Sequence, residues 1–352
     1  MELNNLSRRD FLKLSGTSIA AASLGPLSGC ISNEKTAMKL GYQPPALGQQ
    51  APYQVMKHKN YTDKYNFDIK PTKCTWGAEV VQAYARGAIN IGQSGNFPAL
   101  TVLSKNIDTT IIGNYDLGKK VYAFATTETS DVNINNLKGK TIAFPTGSTA
   151  EWFIREVIQD KTDLSFKDVE FMNSGPQNAV VSLSQGTADA AVFWHPWIER
   201  AEEDVGIDIL SWGYGTDYYL LSPIYVRDSY LENHEDTVQN YMNAMVRALK
   251  YIHNNVDQVA EWISNAESGQ VDKPLAKRAL NVVLGRTEVG NEDGFVPWHS
   301  EYDQILQRAA DFRRNKMSKD FPELDVTKYI ETKYTKKAIQ KEAPDLFGDI
   351  EI

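Results

Sequence analysis

The chain has 352 residues, with 45 Asp and Glu against 37 Lys and Arg and a net charge of −8. That acidic balance, with no basic patch, argues against a nucleic-acid partner. Two cysteines, Cys30 and Cys74, exclude a disulfide framework, and the length suits two domains.

The first stretch names a destination. Ser7-Arg8-Arg9-Asp10-Phe11-Leu12-Lys13 matches a twin-arginine export signal. The apolar run from Leu14 to Leu27 is too short, and too diluted by Ser, Thr and Gly, for a transmembrane helix. Leu27-Ser28-Gly29-Cys30 has the form of a lipobox, in which cleavage precedes the cysteine and the thiol takes lipid. We therefore expect residues 1–29 to be a signal and Cys30 the lipidation site. Residues 30–36 become a tether, and the body sits at the outer face of the cytoplasmic membrane. Cys74 is then left without a partner, as a small apolar core residue.

Met38 to Tyr42 reads as a first strand, broken by Gln43-Pro44-Pro45-Ala46. A helix follows from Pro52 to Lys59, then a strand from Phe67 to Pro71. Cys74-Thr75-Trp76-Gly77 turns into a helix that runs through Arg86. Gly87 to Gly92 is a tight turn into a short strand, and Ser94-Gly95-Asn96 opens another helix, with Asn96 as cap and Phe97 or Pro98 in its first turn. Thr109 to Gly113 is one more strand, and Val121 to Thr126 the crossing into a second half.

Thr141-Ile142-Ala143-Phe144 is a short buried strand. Pro145 to Thr149 is a turn, and a helix begins near Ala150. Ser148 or Thr149 is expected to cap that helix by accepting an orphan N–H with its side chain. A strand feeding a helix in this way leaves backbone N–H groups and the positive dipole end outward, an anion seat without net charge. Asp168 to Met172 is a strand, Ala179 to Ser184 a helix. Gly186-Thr187-Ala188-Asp189-Ala190-Ala191 then echoes Gly87 to Gly92, so each half repeats one architecture. Tyr214 to Tyr219 is the return crossing. Asp236 to Ser264 has one apolar stripe and reads as a single helix. Helices follow over 274–284 and 301–317, and a charged tail from Glu323 onward covers the surface. Alternating strands and helices argue an α/β fold with mainly parallel sheets.

Several features taken together resemble the nitrate/sulfonate/taurine-type solute-binding proteins of ABC importers. They are Gly41-Tyr42, Trp76-Gly77, Gly87 and Gly92 before Asn96-x-Pro98, Leu137 to Ala143 with Gly147-Ser148-Thr149, and Gly186-x-x-Asp189 with Trp194-x-Pro196. The likeness spans Met38 to Asn265. It implies a two-lobed, type II periplasmic-binding-protein fold with the ligand in the cleft. The lobes are expected at 37–121 plus 222–352 and at 122–221. It also implies a monomer that hands its ligand to a permease driven by an ATPase.

Open α/β sheets bind ligands at the carboxyl ends of their strands. Those ends are Gln43 to Ala46, Trp76 to Ala78, Ser94 to Asn96, Tyr115-Asp116, Thr146 to Thr149 and Trp194-His195. The expected ligand-binding residues are Gln43, Pro45, Trp76, Gly77, Ser94, Gly95, Asn96, Gly147, Ser148, Thr149, Trp152, Trp194, His195 and Tyr218. Amides and hydroxyls would hold an anion, tryptophans would form walls, and His195 would donate to the anion or accept a proton. By the resemblance, Trp76, Gly77, Gly147 to Thr149 and the Trp194 loop fall where the family touches its ligand.

The expected ligand is a small organic anion, a sulfonate such as taurine or an alkane- or arylsulfonate. Receptors for thiamine-precursor pyrimidines, or for nitrate or bicarbonate, are the alternatives in the same fold. A third reading feeds a sensor instead of a transporter. A secreted enzyme using His195 or Glu151 as acid or base is the remaining rival. No Gly-x-Ser-x-Gly elbow, H-E-x-x-H or Cys/His cluster appears, so neither cofactor nor metal is expected.

Overall fold

Strands buried on both faces need near-continuous apolar sequence. The chain supplies such runs at Ala190–Trp194 and Leu220–Arg227. Each lies inside a five-stranded sheet of the computed structural model, which describes residues 35–118, 120–213, 220–266, 271–287 and 294–352. The expected export signal, Cys30, Tyr218 and the expected Tyr214–Tyr219 crossing lie outside the described residues.

In chain order, β1 (Thr36–Tyr42) leads to α1 (Leu47–His58), a single turn α2 (Tyr61–Lys64) and β2 (Phe67–Lys73). Next come α3 (Gly77–Ala85), β3 (Ile91–Gln93), α4 (Asn96–Leu103) and β4 (Thr109–Gly118). The second lobe holds β5 (Tyr122–Thr127), β6 (Thr141–Phe144), α5 (Thr149–Lys161), β7 (Glu170–Asn173), α6 (Pro176–Ser184), β8 (Ala190–Trp194), α7 (Trp197–Asp204) and β9 (Ile207–Trp212). The chain returns through β10 (Leu220–Arg227), followed by α8 (Asp228–Asn233), α9 (Glu235–Asn254), α10 (Val256–Ser264) and α11 (Lys273–Val283). It closes with α12 (Tyr302–Phe312), α13 (Lys333–Glu342) and α14 (Pro344–Phe347).

The first lobe orders its strands β2-β1-β3-β10-β4 and the second β7-β6-β8-β5-β9. These are the same pattern, strand for strand, so the repeated architecture expected from the glycine echo is present. Its local cause is also repeated. Gly87 and Gly186 both adopt left-handed backbone, at φ 74° and 67°, just past α3 and α6. In each case the next residue donates back to the helix, Ala88 N–H to Ala83 O and Thr187 N–H to Ser182 O. That is a Schellman cap, which favours glycine. Asn90 and Asp189 then occupy matching places. Asn90 Oδ1 accepts the Lys39 N–H, and Asp189 Oδ2 accepts the Thr141 N–H, stitching each central strand to its neighbour.

Several expectations need correction. Each sheet has two parallel and two antiparallel pairings, not mainly parallel ones. The strands that follow each crossing, β5 and β10, run against both of their neighbours. Helix α1 starts at Leu47, before Pro52, which sits inside it. The long helix breaks at Asn255, whose φ −140° and ψ 44° are not helical, giving α9 and α10. The tail is not mere cover. Tyr334, Thr335, Ala338 and Ile339 of α13 are buried, and Thr335 donates its hydroxyl to Ile112 O. Asn96 is the first residue of α4, and Gly95 is the cap.

Two apolar clusters flank the first sheet and one fills the second lobe. Trp152 rises from α5 in the second lobe, yet is fully buried in a first-lobe cluster beside Leu220 and Tyr302. Trp76, at the start of α3, packs in return against the second-lobe cluster. Each lobe therefore lends the other a tryptophan. Cys74 is buried, as expected, and burial pushes its thiol up to about 11, so it stays protonated and inert.

Candidate functional site

Four helices begin at one cavity between the lobes. Its wall includes Leu47, Gly48 and Gln49 of α1, Gly77 of α3, Gly95 and Pro98 at the start of α4, and Ser148 and Thr149 at the start of α5. Each helix N-terminus presents partial positive charge. No Lys or Arg stands among the described residues of that wall. A water-sized sphere can move its centre through about 40 Å³ of the cavity. By the same measure one water takes roughly 10–15 Å³, so the space suits a small guest.

Three of those helices share a local device. The third helical residue folds its side chain back to an N–H ahead of the helix, as in a capping box. Gln49 Oε1 accepts from Gln43 N–H at 2.6 Å, Glu79 Oε2 from Thr75 N–H at 2.7 Å, and Glu151 Oε2 from Gly147 N–H at 2.8 Å. This corrects the expected cap of α5. Ser148 occupies the cap position, but its hydroxyl donates to Pro145 O at 2.6 Å and accepts no helix N–H. Glu151 is in turn neutralised by Arg155, with Oε1 2.8 Å from the guanidinium.

The lobes touch around the cavity. Leu47 N–H donates to His195 O at 3.2 Å, and Trp197 Nε1–H donates to Pro45 O at 3.2 Å. Thr149 Oγ1 accepts from Phe97 N–H at 3.4 Å. A β-carbon on Gly95 would collide with that Thr149 hydroxyl, which is why the position must be glycine. Arg278 of α11 reaches across to α7, donating to Glu199 O at 2.8 Å and pairing with Glu202 and Glu203.

His195 lines the cavity, and its ring is held by protein groups. Its Nδ1 lies 2.7 Å from Glu199 Oε1 and its Nε2 2.9 Å from Lys120 O. Both ring nitrogens are engaged by protein oxygens. Burial works to lower the His195 pKa, but the Glu199 carboxylate and the Lys120 carbonyl outweigh it and raise it. The i, i+4 spacing of His195 and Glu199 was the available sequence signal. Asp116, near the carboxyl end of β4, also lines the cavity and is buried. Its Oδ1 has no partner among the described residues. Burial pushes its carboxyl up to about 7, against the pull of His195.

Of the expected residues, Gln43, Trp76, Gly77, Gly95, Ser148, Thr149, Trp194 and His195 line this one cavity. Pro45 lines a neighbouring pocket instead. Ser94, Asn96 and Gly147 sit just behind the wall. The Ser94 hydroxyl lies 3.2 Å from the Tyr225 hydroxyl, and Asn96 Oδ1 accepts from Phe97 N–H. The Gly147 N–H is taken by Glu151. Trp152 is core, not wall. Tyr115 and Asp116, a strand end expected to meet ligand, also stand in the wall, as do Tyr122 and Ser222, which the sequence reading did not single out. Tyr122 lies at the crossing strand, where an apolar pattern conceals a hydroxyl's role.

Comparison with known proteins bears on the fold and the family. A Bacillus subtilis (strain 168) protein named as an aliphatic sulfonates-binding protein is 25% identical over 338 residues, 93% of this chain and 97% of that one. The alkanesulfonate-binding protein SsuA from Xanthomonas axonopodis pv. citri, solved bound to MOPS, superposes with a TM-score of 0.72 at 19% identity. That match covers 85% of this chain and 99% of SsuA. The periplasmic nitrate-binding protein NrtA from Synechocystis PCC 6803 gives a TM-score of 0.68 at 15% identity, covering 88% of this chain and 90% of NrtA. The fold is thus the two-lobed periplasmic-binding-protein architecture that the resemblance implied. The pattern of the NMT1/THI5 like family matches residues 48–259, more than half of the chain, and the protein belongs to that family.

Proposed function

We propose that the protein is the extracytoplasmic solute receptor of an ABC importer, and that it captures a small organic anion, preferentially a sulfonate. The observation that carries this is the meeting of four helix N-termini at one small interlobe cavity whose described wall has no Lys or Arg. Preorganised amides and hydroxyls can hold an anion there without a formal positive charge. The sulfonate-binding relative, matched over nearly its whole length, supports the choice of anion.

On this reading the ligand touches both lobes, at 37–121 plus 222–352 and at 122–221, and so favours the closed form. Gln43, Trp76, Gly77, Gly95, Ser148, Thr149 and Trp194 contact it. The closed receptor, a monomer held by lipid on Cys30, docks on a permease. Among the described residues no helix is long and apolar enough to cross a membrane. Catalysis is disfavoured by the state of its two candidate groups. His195 has both nitrogens engaged, and Glu151 is locked by Arg155 and the Gly147 N–H.

Thermal-shift screening of the purified chain tests the proposal. Small alkanesulfonates, carboxylates, phosphonates and nitrate form the panel. A specific ligand at a hundredfold excess over Kd adds about 2.7 kcal/mol to stability. Stabilisation by nitrate and not by any sulfonate would replace the substrate class, and no shift from any anion would end the anion reading.

A further inference from the structure

The cavity that welcomes an anion also carries a carboxylate with no partner. Asp116 is 6% exposed, and its Oδ1 has no hydrogen bond among the described residues. Its Oδ2 lies against α1, where a β-carbon on Gly48 would sit 2.6 Å away. Around it, α1 offers Gly48 and Gln49, β4 offers Tyr115, β5 offers Tyr122 and β10 offers Ser222. None of these carries charge, and burial holds both tyrosines as phenols.

The nearest cation is already spoken for. The His195 ring and the Glu199 carboxyl face each other at 2.7 Å, so Glu199 offsets the positive charge that the imidazole takes up. Once the His195–Glu199 pair is counted as neutral, an ionised Asp116 leaves one negative charge in the wall. A buried carboxylate without a counter-ion is costly, and it would repel a simple anion. The same charge becomes favourable if the guest brings its own cation.

We propose that Asp116 is a specificity-determining residue which receives an ammonium group carried by the ligand, so that the guest is a small zwitterion. Its anionic end lies at the helix N-termini and its ammonium at the Asp116 carboxylate, which lines the same cavity. This rests on the anion reading of the same cavity and deepens it. Because burial pushes the unliganded carboxyl up to about 7, binding an ammonium must drive a proton off Asp116 at and below neutral pH. Affinity for the zwitterion therefore falls as pH drops below about 7. The opposite use of Asp116, as a protonated donor to a plain anion, makes affinity rise on acidification.

Calorimetric titration of the purified chain separates these. Two matched pairs serve as probes, 2-aminoethanesulfonate with ethanesulfonate, and 3-aminopropionate with propionate. All four keep their charges between about pH 5.5 and about pH 8. In the unaltered protein at about pH 8 the amine should improve binding by about tenfold or more within a pair. That advantage should shrink severalfold at about pH 5.5 and vanish in Asp116→Asn.

Equal affinity within the pairs would overturn the proposal while leaving the sulfonate reading intact. An amine advantage that survives in Asp116→Asn, or that grows as pH falls, would also overturn it. An advantage confined to the carboxylate pair would uphold the role of Asp116 and remove the sulfonate. Failure of all four compounds to bind would end both. The pH comparison needs no variant, so it decides the matter even if Asp116→Asn does not fold.

Discussion

The mouths of α1 and α5 occupy the same place in the two lobes, each following the strand that pairs with both parallel neighbours. Both use the third helical residue to hold a loop N–H. In α5 that residue is Glu151, and Arg155 one turn on cancels its charge. In α1 it is the neutral Gln49, which also donates to the Tyr115 hydroxyl at 2.8 Å. The acid near α1 comes instead from β4, as Asp116, and nothing described cancels it. One mouth is a neutral, braced seat. The other retains a charge that does not stabilise the empty protein, which is the pattern expected where function outweighs stability.

The largest way to break this comparison is to remove what braces the α5 side. Trp152→Ala should destabilise the protein by about 3–5 kcal/mol, because it empties a buried site in the opposite lobe's core. Denaturant unfolding measures it, and a loss under about 1 kcal/mol would show that the lobes do not depend on this exchange.

Asp116 comes next. Its folded pKa of about 7 stands above the ordinary 3.8. A raised folded pKa means stability that is full below the unfolded value and is lost as pH rises through the folded one. The ligand-free protein should thus lose on the order of 3–4 kcal/mol between about pH 4 and about pH 7 from this group. Asp116→Asn should abolish that slope and melt higher than the parent at neutral pH. Melting curves across pH, with and without the substitution, provide the check. His195, also raised, adds a loss of the same sign as pH climbs past its ordinary value.

Exchanging the bracing residues sharpens the contrast. Glu151→Ala leaves Arg155 and the Gly147 N–H unpaired and should cost about 2 kcal/mol. Gln49→Glu would instead place a second acid near Asp116. It should weaken anion binding by about tenfold and also lower the melting temperature, because the buried carboxyl has no counter-ion there. The smallest expected effect on stability belongs to Trp76→Ala, under about 1 kcal/mol, since that ring is only partly buried. Its affinity for the ligand should still fall measurably, and unchanged affinity would take Trp76 out of the site.

Much of this was legible because it is local. The bounds of β6 follow from four consecutive β-branched or apolar residues, and those of α5 from the loop before it. The paired glycines, Gly87 and Gly186, announced the repeat because a left-handed helix cap restricts sequence severely. Asp189 could be seen as part of that motif, but its work as a stitch between β6 and β8 could not. The tail was misread because α13 hides its apolar face among lysines, and a face has meaning only once α9 and β4 are there to receive it.

By itself the sequence determined the alternation of strands and helices, their repeat in two lobes, and the glycines and helix starts that face the cleft. These depend on neighbours in the chain, where backbone sterics and capping act over a few residues. Tertiary structure alone decided which tryptophan is wall and which is core, that His195 is held by Glu199 and Lys120, and that Asp116 stands unpaired in the cavity. Burial and charge balance are sums over groups distant in sequence, and no local pattern contains them.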